Sequence, residues 1–185
     1  QMAVLARTDS GWKTLEDMVA AAKGGTKIVW ANWGNQVQAG AEVVARHYGI
    51  SVNHLRGKGG KSAINALVAK DANVGWGGGV QGPLVAAGEL VILASAEEKP
   101  LVQAPDQKTL IDRGILKTGL GFQFLLAGPK GMAPEVRDSI AAAIHQVLSN
   151  PESKTAKFIS KQYPPAPLMM SGDALTKQLK TNLEA

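Results

Sequence analysis

Three short loops hold the residues best suited to chemistry: Asn32-Trp33-Gly34-Asn35-Gln36 running on to Gln38, Gly57-Lys58-Gly59-Gly60-Lys61-Ser62, and Gly77-Gly78-Gly79-Val80-Gln81-Gly82. Glycine lets a backbone approach a ligand closely, carboxamides offer neutral hydrogen bonds, and lysines supply positive charge. Together these are the parts of a small-anion site. Asn32, Trp33, Asn35, Gln36 and Gln38 are expected to form one lip, with Gly34 leading into a helix whose unpaired N–H groups and dipole favour negative charge. Gly77, Gly78 and Gln81 are expected to form the other, through backbone and amide contacts. Lys58 or Lys61, on either side of Gly59, sets the local field. Trp33 is read as an apolar wall and Trp76 as core. Taken alone, Asn32 to Gln36 fits an ordinary connection with Asn35 as N-cap just as well. The recurrence of three such loops favours a site.

Better-known phosphate motifs fail on spacing. A nucleotide-binding P-loop has four residues between its first glycine and Gly-Lys-Ser/Thr, whereas two residues separate Gly57 from Gly60. Gly77, Gly79 and Gly82 satisfy GxGxxG, with Glu97 lying 20 residues after Gly77. The helix that follows nevertheless has room for only about five or six residues before Gly88, too short for a dinucleotide unit. There is no GxSxG nucleophile elbow. The chain has no cysteine, and His47, His54 and His145 lack ligand spacing, so no metal or cofactor is expected.

The elements that position these loops follow from periodicity and punctuation. Met2 to Ala6 reads as the middle of a strand, so a preceding segment carrying any signal peptide is expected. Thr14 caps a helix with Asp17 at its third position and Gly24-Gly25 at its end. Lys27 to Ala31 reads as a buried strand, and Val37 to Tyr48 as a helix closed by Gly49. Ile50 to Leu55 is a strand, Ile64 to Val68 a helix, and Val74 to Trp76 a strand. Pro83 opens a short helix, and Leu90 to Ala94 is an unbroken apolar strand. Glu97 to Pro105 reads as surface loop, Thr109 to Arg113 as a helical turn or two, and Gly121 to Leu126 as a strand. Strands alternating with helices predict an α/β fold with a largely parallel sheet covered on both faces. Beyond Pro129 come amphipathic helices opening at Pro134, Pro151 and Asp173, with a strand over Leu168 to Met170 as the one candidate partner.

Composition narrows the class. The chain has 185 residues, 45% of them hydrophobic, enough for one ordinary core. No apolar run reaches the roughly 20 residues of a membrane span. The net charge of +5 suits an anionic ligand, but the basic residues are scattered, and Arg56, Lys58 and Lys61 make too short a cluster for nucleic acid.

Beyond these readings, the order and spacing of several runs resemble the extracytoplasmic solute-binding receptors of tripartite tricarboxylate transporters, the Bordetella uptake receptor family. The runs are Thr14-Leu15-Glu16-Asp17, Ala39-Gly40-Ala41-Glu42, Lys58-Gly59-Gly60, Asn73-Val74, Ala87-Gly88-Glu89-Leu90, and Gly121-Phe122 through Pro134-Glu135-Val136. The resemblance implies a non-enzymatic, periplasmic, two-lobed binding protein of the type II class. Such a protein closes over a small organic carboxylate and passes it to membrane permease subunits. It implies that residues 3–127 are lobe two with its crossing strands, and that 128–185 are helices returning to lobe one, most of which lies outside the chain. The same bilobal fold serves as the effector-sensing domain of transcription regulators, the alternative reading. Exposed helix faces imply self-association of the chain alone.

Departures from the family pattern bear on the ligand. The shorter Ala31 to Gln38 loop puts an indole where the family has small hydroxyls. Gly77 stands where many members carry Asp, which disfavours an amino-acid ligand and favours a di- or tricarboxylate or an aromatic carboxylate. Gly57 replaces an aromatic residue and Ala133 a threonine cap.

Overall fold

Five short segments between Met2 and Ser95 form the strands of one mixed sheet. The computed structural model describes residues 1–121, 124–162 and 169–184. It divides into two compact units, 1–122 and 123–185, taken here separately.

In the first unit β1 (Met2–Arg7), α1 (Leu15–Lys23), β2 (Ile28–Asn32), α2 (Asn35–Tyr48), β3 (Val52–Arg56), α3 (Gly60–Val68), β4 (Val74–Gly78), α4 (Gly82–Ala86) and β5 (Leu90–Ser95) follow in order. The strands lie in the sequence β3-β2-β4-β1-β5. β2 runs parallel to β3 and β4, whereas β1 is antiparallel to both β4 and β5. The four strands other than β1 therefore share one direction, and their carboxyl ends lie along one edge. Apolar helix faces cover both sides, as the α/β reading requires. Leu15, Met18, Val37, Ala41 and Val44 pack on one face with Trp30, Val74 and Trp76. Ala63, Ile64 and Leu67 pack on the other with Leu5, Ala31 and Ile92.

Local chemistry sets the element ends. The Thr14 side chain accepts from the Asp17 N–H while Asp17 Oδ2 accepts from the Lys13 and Thr14 N–H groups, a complete capping box. Those backbone donors, Lys13 first, hold the Asp17 carboxyl below its ordinary range. Gly49, at φ 65°, closes α2 in the left-handed conformation that glycine adopts without strain. Asn73 substitutes for a strand partner: its Oδ1 accepts from Val29 N–H (2.8 Å) and its Nδ2 donates to the Lys27 carbonyl (2.9 Å). Trp30 and Trp76 meet on neighbouring strands with ring centroids 5.3 Å apart and planes at 39°. Both are fully buried, so Trp76 is core, as read from the sequence.

Some expectations change. Gly34, not Asn35, is the N-cap of α2. The stretch after β5 is more than surface loop, since Leu101, Leu110 and Ile115 enter the core and Leu110 N–H bonds back to the Ser95 carbonyl (2.8 Å). Its apolar residues are too widely spaced to read as an element, and Thr109 to Arg113 forms turns in place of a helix. Of the strand expected over 121–126, residues 122 and 123 lie outside the described residues. Phe124, Leu125 and Leu126 form no strand and are exposed. Of the strand expected over Leu168 to Met170, Leu168 lies outside the described residues, and Met169 and Met170 form none.

In the second unit α5 (Pro134–Ser149), α6 (Lys154–Gln162) and α7 (Gly172–Glu184) follow. α5 buries no residue, and its Val136, Ile140 and Val147 are exposed, as is Phe158 of α6. No described helix is long and apolar enough to cross a membrane.

The tryptophan pair gives a stability test. Trp76→Ala is expected to cost about 3–5 kcal/mol in urea denaturation by analogy with large core truncations. Trp76→Phe should cost less, because the buried Nε1 of Trp76 has no hydrogen-bond partner and phenylalanine removes it.

Candidate functional site

The connections out of β2 and β3 diverge. α2 packs with Trp30 on one face and α3 with Ala31 on the other. Adjacent parallel strands whose helices leave to opposite faces open a crevice at their carboxyl ends, where open α/β sheets bind ligands.

Trp33, the residue after β2, spans this crevice. It is half-buried, and its six-membered ring lies 3.5 Å from where a Cβ would stand on Gly78 and 4.0 Å from the same point on Gly60. One indole therefore lies beside both the start of α3 and the end of β4. Side chains at Gly60 and Gly78 would meet that ring. Behind Trp33, Gly34 caps α2 in an extended conformation and has no side chain to offer the helix N–H groups. The first turn of α2 is thus open, and Asn35 and Gln36 are exposed there, with Gln38 half-buried. Asn35 Oδ1 accepts a hydrogen bond from Arg56 Nη2 (2.6 Å) across the crevice.

Asn32 is not a lip residue. It is fully buried, and its Nδ2 donates to the Trp30 carbonyl (2.8 Å) and contacts His54 Nδ1 (2.9 Å). Because that Nδ2 donates, Nδ1 of His54 is the acceptor and Nε2 carries the proton toward Glu42 Oε1 of α2. Asn32, His54 and Glu42 thereby tie β2, β3 and α2 together beneath the site.

The β3 exit caps itself. Ser62 Oγ accepts from Gly59 N–H (3.2 Å) and donates to the Gly59 carbonyl (2.6 Å). A Cβ on Gly57 would stand 2.0 Å from that oxygen, so the Ser62 cap requires glycine there. Lys58 and Lys61 remain exposed on this loop, and among the described residues neither they nor Arg56 pairs with a carboxylate.

At β4, Gln81 is fully buried, accepting from Gly79 N–H (2.7 Å) and donating to the Gln1 carbonyl (3.1 Å). Its amide holds the turn and has no free end for a ligand. Gly77 is a packing glycine, since a Cβ there would stand 2.7 Å from both Gln81 Oε1 and Leu5 Cδ1. The structure thus gathers Trp33, Gly34, Asn35, Gln36, Gly59, Gly78 and the two lysines at one edge. It assigns Asn32, Gly77 and Gln81 to the scaffold. Sequence reasoning missed Arg56 as a site residue. Its signal was parity: Arg56 pairs with Asn32 in the β2–β3 register. Among the described residues no group of three His, Asp or Glu could hold a metal ion. A hollow of about 480 Å³ at the opposite edge is less suited to an anion, because its Arg7 is committed to Asp9 and to the Leu67 and Ala72 carbonyls.

The chain matches the tripartite tricarboxylate transporter family receptors over residues 1–176. It belongs to that receptor family. No curated protein matches it. Among solved structures, a TctC solute-binding protein from Polaromonas, without ligand, is 22% identical with a TM-score of 0.71, covering 98% of this chain and 62% of its own. An R. palustris protein with adipate is 14% identical, with a TM-score of 0.81 and coverage of 99% and 62%. MatC from Rhodopseudomonas palustris, with bound malate, is 19% identical, with a TM-score of 0.75 and coverage of 99% and 64%. At these identities the likeness shows the fold. The chain spans about three fifths of the length of these receptors.

The Gly77–Gln81 contact yields a double-mutant test. Gly77→Ala should destabilise by about 1–3 kcal/mol through overpacking. In a Gln81→Ala background the same change should cost measurably less, by thermal denaturation. Costs that add to within about 0.5 kcal/mol would show that the two residues are uncoupled.

Proposed function

We propose that this chain is part of an extracytoplasmic solute-binding protein that captures a small organic carboxylate, a di- or tricarboxylate or an aromatic carboxylate, for a tripartite tricarboxylate-type transporter. The observation that carries the proposal is the convergence of three parallel-strand exits on one crevice with an uncapped helix N-terminus and cations that, among the described residues, lack carboxylate partners. Adipate and malate in two structural relatives support the same ligand class. Gly77, packed beneath Gln81 and Leu5, presents no acidic group to meet an amino function, and Trp33 offers an aromatic surface to an apolar ligand body. No chemical step is proposed.

In this reading residues 3–127 form the second lobe and 128–185 return toward the first, close to the observed division at 122 and 123. The remaining two fifths of the relatives' length corresponds to a lobe outside residues 1–185. That lobe completes the grip on the ligand, covers the exposed apolar residues of α5 and α6, and presents the closed receptor to the membrane permease subunits. Without it, those faces favour self-association.

A helix terminus contributes at most ~2 kcal/mol, and exposed cations about 0–1 kcal/mol each. Micromolar binding needs about 8 kcal/mol and millimolar about 4. Calorimetry with adipate, malate and benzoate is therefore expected to give dissociation constants of about millimolar or weaker for residues 1–185 and micromolar for the two-lobed protein. Micromolar binding by residues 1–185 would contradict the two-lobe account. Absence of binding of all three acids by the two-lobed protein would contradict the receptor reading.

A further inference from the structure

Resting on the receptor reading, we infer that Arg56 is the specificity-determining anchor for the ligand carboxylate and that Asn35 is its positioning residue, not a ligand contact. What holds the guanidinium sets Arg56 apart. Arg7, Arg113 and Arg137 are each paired with a carboxylate, Asp9, Glu16 and Asp138, at 2.8 Å. Arg56 is held at 2.6 Å by a neutral amide oxygen. A carboxylate would fix the side chain and cancel its charge. An amide fixes it and leaves the charge intact.

The placement is equally specific. Arg56 ends β3 beside Asn32 of β2, and its link to Asn35 places it at the uncapped first turn of α2. Nη2 is engaged with Asn35, and among the described residues Nε and Nη1 have no protein acceptor. An arginine fork matches a carboxylate in two parallel hydrogen bonds, whereas Lys58 and Lys61 act as flexible point charges. A carboxylate accepting from Arg56 would lie close enough to the α2 N–H groups to share them. Trp33, which follows β2 and packs toward both faces of the sheet, would flank the rest of the ligand.

The test is calorimetry on the two-lobed protein with adipate as probe, alongside malate and benzoate. Arg56→Gln is expected to weaken adipate binding at least tenfold and to flatten its salt dependence, while Lys61→Gln changes it less than threefold. Asn35→Asp gives a second variant that does not depend on Arg56→Gln folding well. An acidic residue in the first turn favours the helix and keeps an acceptor for Arg56, so the protein should be as stable or more stable, yet bind adipate at least tenfold more weakly. A purely structural role for Asn35 predicts that stability and affinity move together. If wild type binds adipate and both variants bind within twofold of it, this inference is overturned and the receptor reading stands. If wild type binds none of the three acids, both are overturned.

Discussion

The fold's functional consequence depends on one constraint: β2 lies between β3 and β4, while the helices that follow β2 and β3 leave to opposite faces of the sheet. The crevice at its carboxyl end is a result of connectivity, so it needs no strained backbone to hold it open. The residues proposed to face a ligand are arranged around that point. Trp33 bridges the neighbouring loops, Gly34 leaves α2 uncapped, and Arg56 reaches across to Asn35. Beneath them, the Asn32–His54–Glu42 chain and the Trp30–Trp76 contact fix the strands that set these distances.

Glycine at this edge has two uses. Gly34 leaves donors open to a ligand, whereas Gly57 and Gly77 make room for a neighbouring polar side chain, Ser62 and Gln81 respectively. In both latter cases the polar side chain bonds a glycine N–H two or three positions away. Buried amides such as Asn32 and Gln81 therefore serve the site by shaping loops. A buried carboxamide is costly unless its hydrogen bonds are met; both ends of Gln81 are engaged, whereas Asn32 bonds through Nδ2 and its Oδ1 has no partner among the described residues.

Much of this was legible from the residues. The capping box at Thr14 and Asp17, the left-handed Gly49 and the apolar runs of β4 and β5 are local signals, and each element formed where its signal lay. The cores of the long connections were less visible, because Leu101, Leu110 and Ile115 reach the core through turns with no periodicity to betray them. Phe124 to Leu126 carry a strong strand composition, but strand formation depends on a neighbouring strand, which composition alone does not supply. At the candidate site, residue type singled out the three loops but could not separate exposed groups such as Asn35 from buried ones such as Asn32. Whether Asn32 or Asn35 faces the crevice depends on strand parity and helix start, and a boundary shift of one or two residues exchanges them.

Hydrogen exchange on the two-lobed protein with and without saturating adipate tests the central claim most directly. Binding at the β2 crevice predicts slowed exchange at the amides of residues 33–38, at the start of α2, and at Gly78 and Gly79, with the Arg7 hollow at the opposite edge unaffected. Protection confined to the Arg7 hollow, or spread evenly over the sheet with none at residues 33–38, would contradict it.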